Sequence, residues 1–132
     1  MNEIGEFKEL VYMLKYAHEH AENEIGVGAV FHRFVVCFDM LRNITLSLLE
    51  HHSIETDTIR EGFISAIHAE LLPEDMFPMQ MLDDWEIIRG GKAEEQGAEL
   101  FERIGGIYIK ALGGIAEVLD DEWGKEQEED LP

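Results

Sequence analysis

The chain predicts an all-α fold, an up-and-down antiparallel four-helix bundle with an additional short helix, and three observations carry that expectation. Apolar residues recur at steps of three and four almost throughout, the spacing that gathers them on one helix face. Glycine and proline interrupt the pattern at Gly26 and Gly28, at Pro73 and at Gly90-Gly91, which divides it into segments. The 132 residues, 45% hydrophobic and 30% charged, suffice for one core without disulfide or metal staples. Short links between helices make neighbours antiparallel. The expected organisation is a single helical domain over residues 1–123 followed by an acidic, disordered tail over 124–132.

Phe7, Leu10, Val11, Leu14, His18 and Ala21 form one stripe on a first helix of roughly residues 5 to 23. Gly26 and Gly28 break it. A second stripe, Phe31, Phe34, Val35, Phe38, Leu41, Thr45, Leu48, Leu49 and His52, runs for more than five turns. The β-branched Val35-Val36 pair does not make it a strand, because period two would expose half of a rich apolar set. His51-His52 then reads as a helix end, where the dipole tolerates imidazole. Thr56 and Asp57 offer an N-cap for a third helix with the stripe Ile59, Phe63, Ala66, Ile67 and Leu71, stopping at Leu72-Pro73. A short fourth helix starts near Pro78, which suits only a first turn, and ends at Gly90-Gly91. The last helix spans about Ala93 to Glu122, with Leu100, Phe101, Ile104, Tyr108, Leu112, Ile115 and Leu119 on one side.

Glycines in that last helix each cost about 1 kcal/mol relative to alanine. Gly105-Gly106 and Gly113-Gly114 are spaced to share a face, so close helix packing is expected there. The partner backbone could be the second helix, a second copy or another subunit, and the alternative is a helix that kinks at one pair.

The chemistry-bearing residues exclude more than they assign. The single Cys37 lies in an apolar run, which rules out a disulfide framework and makes it a small core residue. None of the six histidines has a glutamate three positions before it, so the pairing that builds ferritin-like metal sites is missing. No zinc-protease motif, phosphate-gripping glycine loop or dinucleotide fingerprint occurs. Neither a metal nor a cofactor is expected. With 29 acidic against 10 basic side chains the net charge is -19, which repels phosphate backbones and argues against nucleic-acid binding by this chain alone. The stretch from Glu117 to Pro132 holds eight acidic residues and one lysine and reads as a solubilising tail. The N-terminus lacks the basic and apolar regions of a signal peptide, and no continuous apolar run reaches membrane-spanning length. A cytoplasmic protein without membrane contact is the expectation.

Four segments, in order, carry a family resemblance. Arg33-Phe34-Val35-Val36-Cys37-Phe38-Asp39 resembles the Arg-Phe-x-x-x-Phe-Glu segment of the nucleotidyltransferase substrate-binding proteins, a branch of the HEPN superfamily. Ile59-Arg60-Glu61-Gly62-Phe63 is similar to that family's third helix, and Met81-Leu82-Asp83-Asp84 to its Met-Leu-Glu-Asp segment. Glu94-Glu95 through Ile104 then resembles the start of its last helix, so the likeness covers about residues 5 to 120. In that family the Asp is followed by Arg-Asn, with a His five residues after the Arg. In its ribonuclease members these two hold the scissile phosphate and move protons. Here those positions are Trp85, Glu86 and Gly90. An indole offers only a donor and glycine no side chain, so ribonuclease action by that route is not expected.

The resemblance then implies a non-catalytic binding subunit that pairs with a separate small nucleotidyltransferase, as the substrate-binding half of a two-component complex or within a toxin and antitoxin pair. Arg33, Asp39, Asp83, Asp84, Trp85 and Arg89 are the expected ligand- or partner-binding positions, although Arg33 and Asp39 also suit an ordinary surface pair. Trp85 reads as a core or interface anchor more than a stacking platform for a base. The alternative is a homo-oligomer, a homodimeric structural or adaptor protein using Met76, Phe77, Met79, Met81 and Trp85 as an adaptable contact.

Overall fold

The computed structural model describes the backbone of residues 3–129 and the side chains of residues 3–122. These form an all-α helix bundle: α1 Glu3–Glu19, α2 Glu24–His51, α3 Ile59–His68, a short α4 Pro78–Arg89, α5 Gly97–Arg103 and α6 Ile109–Glu129. A π-helical turn, Ile104–Tyr108, joins α5 to α6 without a loop. Single 3-10 turns, Glu74–Met76 and Ala93–Gln96, lead into α4 and α5. The long α2 is the centre, touching α1, α3, α4 and α5, while α1 also packs on α6. Lys8 of α1 pairs with Asp120 of α6 at 2.8 Å, and His18, at the other end of α1, meets Phe101 of α5. The first and last helices are therefore antiparallel.

The core follows most of the predicted stripes, although His52, expected on the second, is exposed at the C-cap of α2. Phe7, Leu14, Phe34, Phe38, Leu41, Leu48, Phe63, Tyr108, Leu112, Ile115 and Leu119 are buried, and stacked rings link Phe34 to Tyr108 and Phe38 to Phe63. Cys37 is a buried free thiol as expected, and burial pushes its pKa up to about 12 because a thiolate is poorly solvated there.

Helix ends differ most from the sequence expectation. Gly26 and Gly28 do not separate helices, because α2 starts before them at Glu24. Its N-cap is Asn23, whose side chain accepts from the Gly26 amide at 3.0 Å, the usual satisfaction of an orphan donor. A Cβ at Gly26 would lie 3.0 Å from the Ala21 Cα, so the glycine admits the incoming chain. The cap of α3 is Thr58 rather than Thr56 or Asp57: its hydroxyl accepts from the Glu61 amide at 3.1 Å. Glu61 accepts in return from the Asp57 amide at 3.2 Å, a variant of the capping box. The predicted tail is helical as far as Glu129, in keeping with the high helix propensity of Glu, Gln and Lys. Residues 130–132 lie outside the described residues.

Three helices end the same way. After α2, the Ser53 amide donates to the Glu50 carbonyl and the Ile54 amide to that of Leu49. After α3, Glu70 and Leu71 repeat the pattern onto Ile67 and Ala66, and after α4, Gly91 and Lys92 repeat it onto Ile88 and Ile87. This is the Schellman motif, whose turning residue is left-handed. Only the last uses glycine: φ is 59° at Ser53, 61° at Glu70 and 76° at Gly91. The second motif stops α3 at His68, short of the expected Leu72. Replacing Ser53 or Glu70 by glycine relieves the left-handed strain, so each variant is expected to be about 0.5–1 kcal/mol more stable in urea denaturation.

Of the paired glycines in the last helix, Gly105 and Gly114 make room for side chains rather than for a neighbouring backbone. A Cβ at Gly105 would run into the His18 ring, and one at Gly114 would lie 2.9 Å from the Met76 sulfur. Nothing lies within 4 Å of a Cβ at Gly106 or Gly113. His18 stacks on Phe101 with centroids 4.1 Å apart, and its Nε2 donates to the Phe101 carbonyl at 3.0 Å. Adjacent glycines therefore predict opposite results. Gly105→Ala is expected to cost about 1–3 kcal/mol through overpacking, whereas Gly106→Ala is neutral or gains up to about 1 kcal/mol from helix propensity. Thermal melts of the two variants check the difference in sign.

Candidate functional site

α4 positions the residues that the sequence marks out. Pro78 occupies its first turn, where its missing N–H is not needed, and Phe77 turns the chain in at φ 62°. Met81, Leu82, Asp84 and Trp85 then face inward and are buried, while Asp83, Glu86 and Arg89 face out.

Trp85 is 6% exposed and belongs to the core. Its ring lies 5.7 Å from that of Phe38, and its Nε1 donates to Asp39 Oδ1 at 3.0 Å. Two guanidinium groups lie over the indole, Arg89 at 4.9 Å and Arg42 at 5.7 Å from the ring centroid, a cation–π arrangement. Arg89 also stands 3.8 Å from Asp39, with about half its side chain exposed. The indole thus fills the space between α2 and α4, with its donor satisfied and its face covered by cations.

Asp84 anchors a separate network. Arg103 grips it with both arms of its fork, Nε to Oδ2 at 2.9 Å and Nη2 to Oδ1 at 3.0 Å, and the Tyr108 hydroxyl donates to Oδ2. Arg103 and Tyr108 are five residues apart. In an α-helix five steps of about 100° would leave them about 140° apart. The π turn between them bonds i to i+5, as in the Ile109 amide donating to the Ile104 carbonyl, and that winding brings both onto one side. Burial, then the Asp84 bond and charge, raise the Tyr108 pKa, and the Asp84 bond raises that of Arg103.

The remaining predicted positions lie apart. Asp83 pairs with Arg60 at 2.8 Å, and the same guanidinium reaches Glu86 at 3.3 Å, so the outer carboxylates of α4 are tied to α3. Exposed pairs of this kind add little stability. Arg33 lines a small hollow with Leu10, His32 and Val36 on the α1 side of α2. Gly90 is the C-cap of α4. Of the six expected binding residues, only Asp39, Trp85 and Arg89 meet in one place. Arg42, Arg60, Arg103 and Tyr108 are the partners that the sequence reading did not assign.

Two open grooves lie elsewhere. One of about 690 Å³ runs between the start of α2 and the Ala93–Phe101 segment, and one of about 420 Å³ lies between Phe77 and Ile107. Among the described residues no group of three or more His, Cys, Asp or Glu side chains converges as a metal site would require. No helix of the described residues is long and apolar enough to cross a membrane. No family model, characterised protein or solved structure matches the chain.

Proposed function

We propose that this chain is a non-catalytic binding subunit that acts in the cytoplasm by docking a protein partner, of the kind the resemblance implies: a separate small nucleotidyltransferase. The observation that supports this reading is Trp85. Where the resemblance would put a phosphate-holding arginine, a buried indole is bonded to Asp39 and covered by Arg42 and Arg89. An interior filled in this way holds an indole, which only donates a hydrogen bond, where the resemblance would place the phosphate-holding cation. The net charge of -19 also disfavours RNA as a direct ligand.

The test is co-expression with a small nucleotidyltransferase, best one encoded beside this chain, followed by size-exclusion chromatography with light scattering. A stable heteromer is expected, together with no RNA cleavage by the purified chain alone. Robust partner-free cleavage overturns the non-catalytic reading.

A second reading, a homodimeric adaptor, is favoured by the outer face of α1. Tyr12, Tyr16 and Met13 are 68%, 55% and 40% exposed there, and such side chains are enriched where proteins meet. A saturated homodimer that shields this face and forms no heteromer would make it the better reading.

A further inference from the structure

The groove between the start of α2 and α5 combines an apolar floor with an acidic rim. Its floor is apolar, built from half-buried Val27 and Phe31 of α2 and Phe101 of α5. Its rim is anionic: Glu24 on one side and Glu94 on the other are exposed, and no basic side chain lines it. Gly28 opens the wall on α2, with nothing within 4 Å of where a Cβ would stand. At about 690 Å³ the groove can receive several apolar side chains laid along it.

We propose that this groove docks a cationic amphipathic helix of a partner protein, its apolar stripe on Val27, Phe31 and Phe101 and its lysines or arginines against Glu24 and Glu94. Charge complementarity selects this occupant. A second copy of the chain brings another -19 to the same rim, and like potentials repel on approach. Several of its cations are already engaged by its own carboxylates, Lys8 by Asp120, Arg60 by Asp83 and Glu86, and Arg103 by Asp84. An anionic segment would meet the same repulsion. A basic amphipathic helix satisfies the floor and the rim together, and its association is accelerated by the chain's overall field.

This inference deepens the binding-subunit reading and rests on it. The test uses the whole chain and a labelled synthetic helix of leucine and lysine with leucines at helical spacing, read by fluorescence anisotropy. A control peptide has the same composition in shuffled order, without an apolar face. The ordered peptide is expected to bind at least about tenfold more tightly than the control. Gly28→Leu, which fills the groove from α2, and the pair Glu24→Gln with Glu94→Gln are each expected to weaken binding by about tenfold. Circular dichroism of both variants establishes that they are folded. Equal binding of ordered and shuffled peptides, or full binding by folded Gly28→Leu, overturns the proposal and leaves net charge as the cause. Self-association of the wild type that Gly28→Leu abolishes overturns it in favour of a second copy. The two readings fail differently: if only the groove is wrong, Gly28→Leu still forms the nucleotidyltransferase heteromer, and if the binding-subunit reading is wrong, the wild type forms none.

Discussion

Asp84→Ala is expected to destabilise the chain by about 3–5 kcal/mol, the cost of removing one member of a buried charged pair. The carboxylate is nearly buried and takes both arms of Arg103 and the Tyr108 hydroxyl. Removing it strands a guanidinium that is only a quarter exposed and a hydroxyl in the core, each with its own desolvation cost. For a domain of this size the melting temperature should fall by about 10–20 °C. The loss belongs largely to the groups left behind, so replacing all three members by apolar side chains, Asp84→Leu, Arg103→Leu and Tyr108→Phe, should recover much of it. A triple variant no more stable than Asp84→Ala would show that the network contributes more than mutual compensation. The network also gives an alkaline signature. Tyr108 holds its proton more tightly when folded, so its contribution is complete below the unfolded tyrosine value of about 10 and is lost as pH rises further. Cys37 acts in the same direction with a folded value of about 12. Tyr108→Phe should therefore flatten part of the fall in stability above about pH 10.

The residues of this network show what a sequence conveys and what it hides. Helical period and apolar stripe are local properties, and Phe7, Phe34, Phe38, Phe63 and Leu112 stand in the core where the spacing puts them. The stop at Gly90-Gly91 was readable because glycine fills the left-handed position there. The same turn at Ser53 and Glu70 was not, because neither residue prefers φ near 60° and only the hydrogen bonds onto Leu49 and Ala66 reveal the motif. Arg103 and Tyr108 were unreadable as a pair for another reason. Steps of 100° place them on different faces, and only the π turn at Gly105-Gly106 brings them to Asp84. Asp39 and Trp85 stand 46 positions apart, and no local pattern announces their bond.

Trp85 gives the second large effect and separates a structural role from a recognition role. Trp85→Ala is expected to cost about 3–5 kcal/mol, because it removes a buried ring against Phe38 and leaves a cavity between α2 and α4. Trp85→Phe keeps most of the packing and loses the bond to Asp39. That carboxylate is about one third exposed and stands near Arg89, so water and the guanidinium can serve it, and the cost falls to about 1–2 kcal/mol. Partner binding by the two variants decides the role. A core anchor acts only through the fold, so Trp85→Phe should bind as the wild type does at temperatures where both are folded. A residue that contacts the partner should lose affinity in proportion to the missing indole, whatever its stability. Trp85→Arg with Gly90→His goes further by introducing the two residues that the resemblance would place there. The new cation would share its site with Arg42 and Arg89, at the expense of the ring both now cover. Destabilisation comparable to Trp85→Ala and no gain of RNA cleavage are expected, measured by urea denaturation and a fluorescent RNA substrate. Cleavage by that folded double variant would mean that the bundle keeps a working nuclease frame and lacks only two side chains.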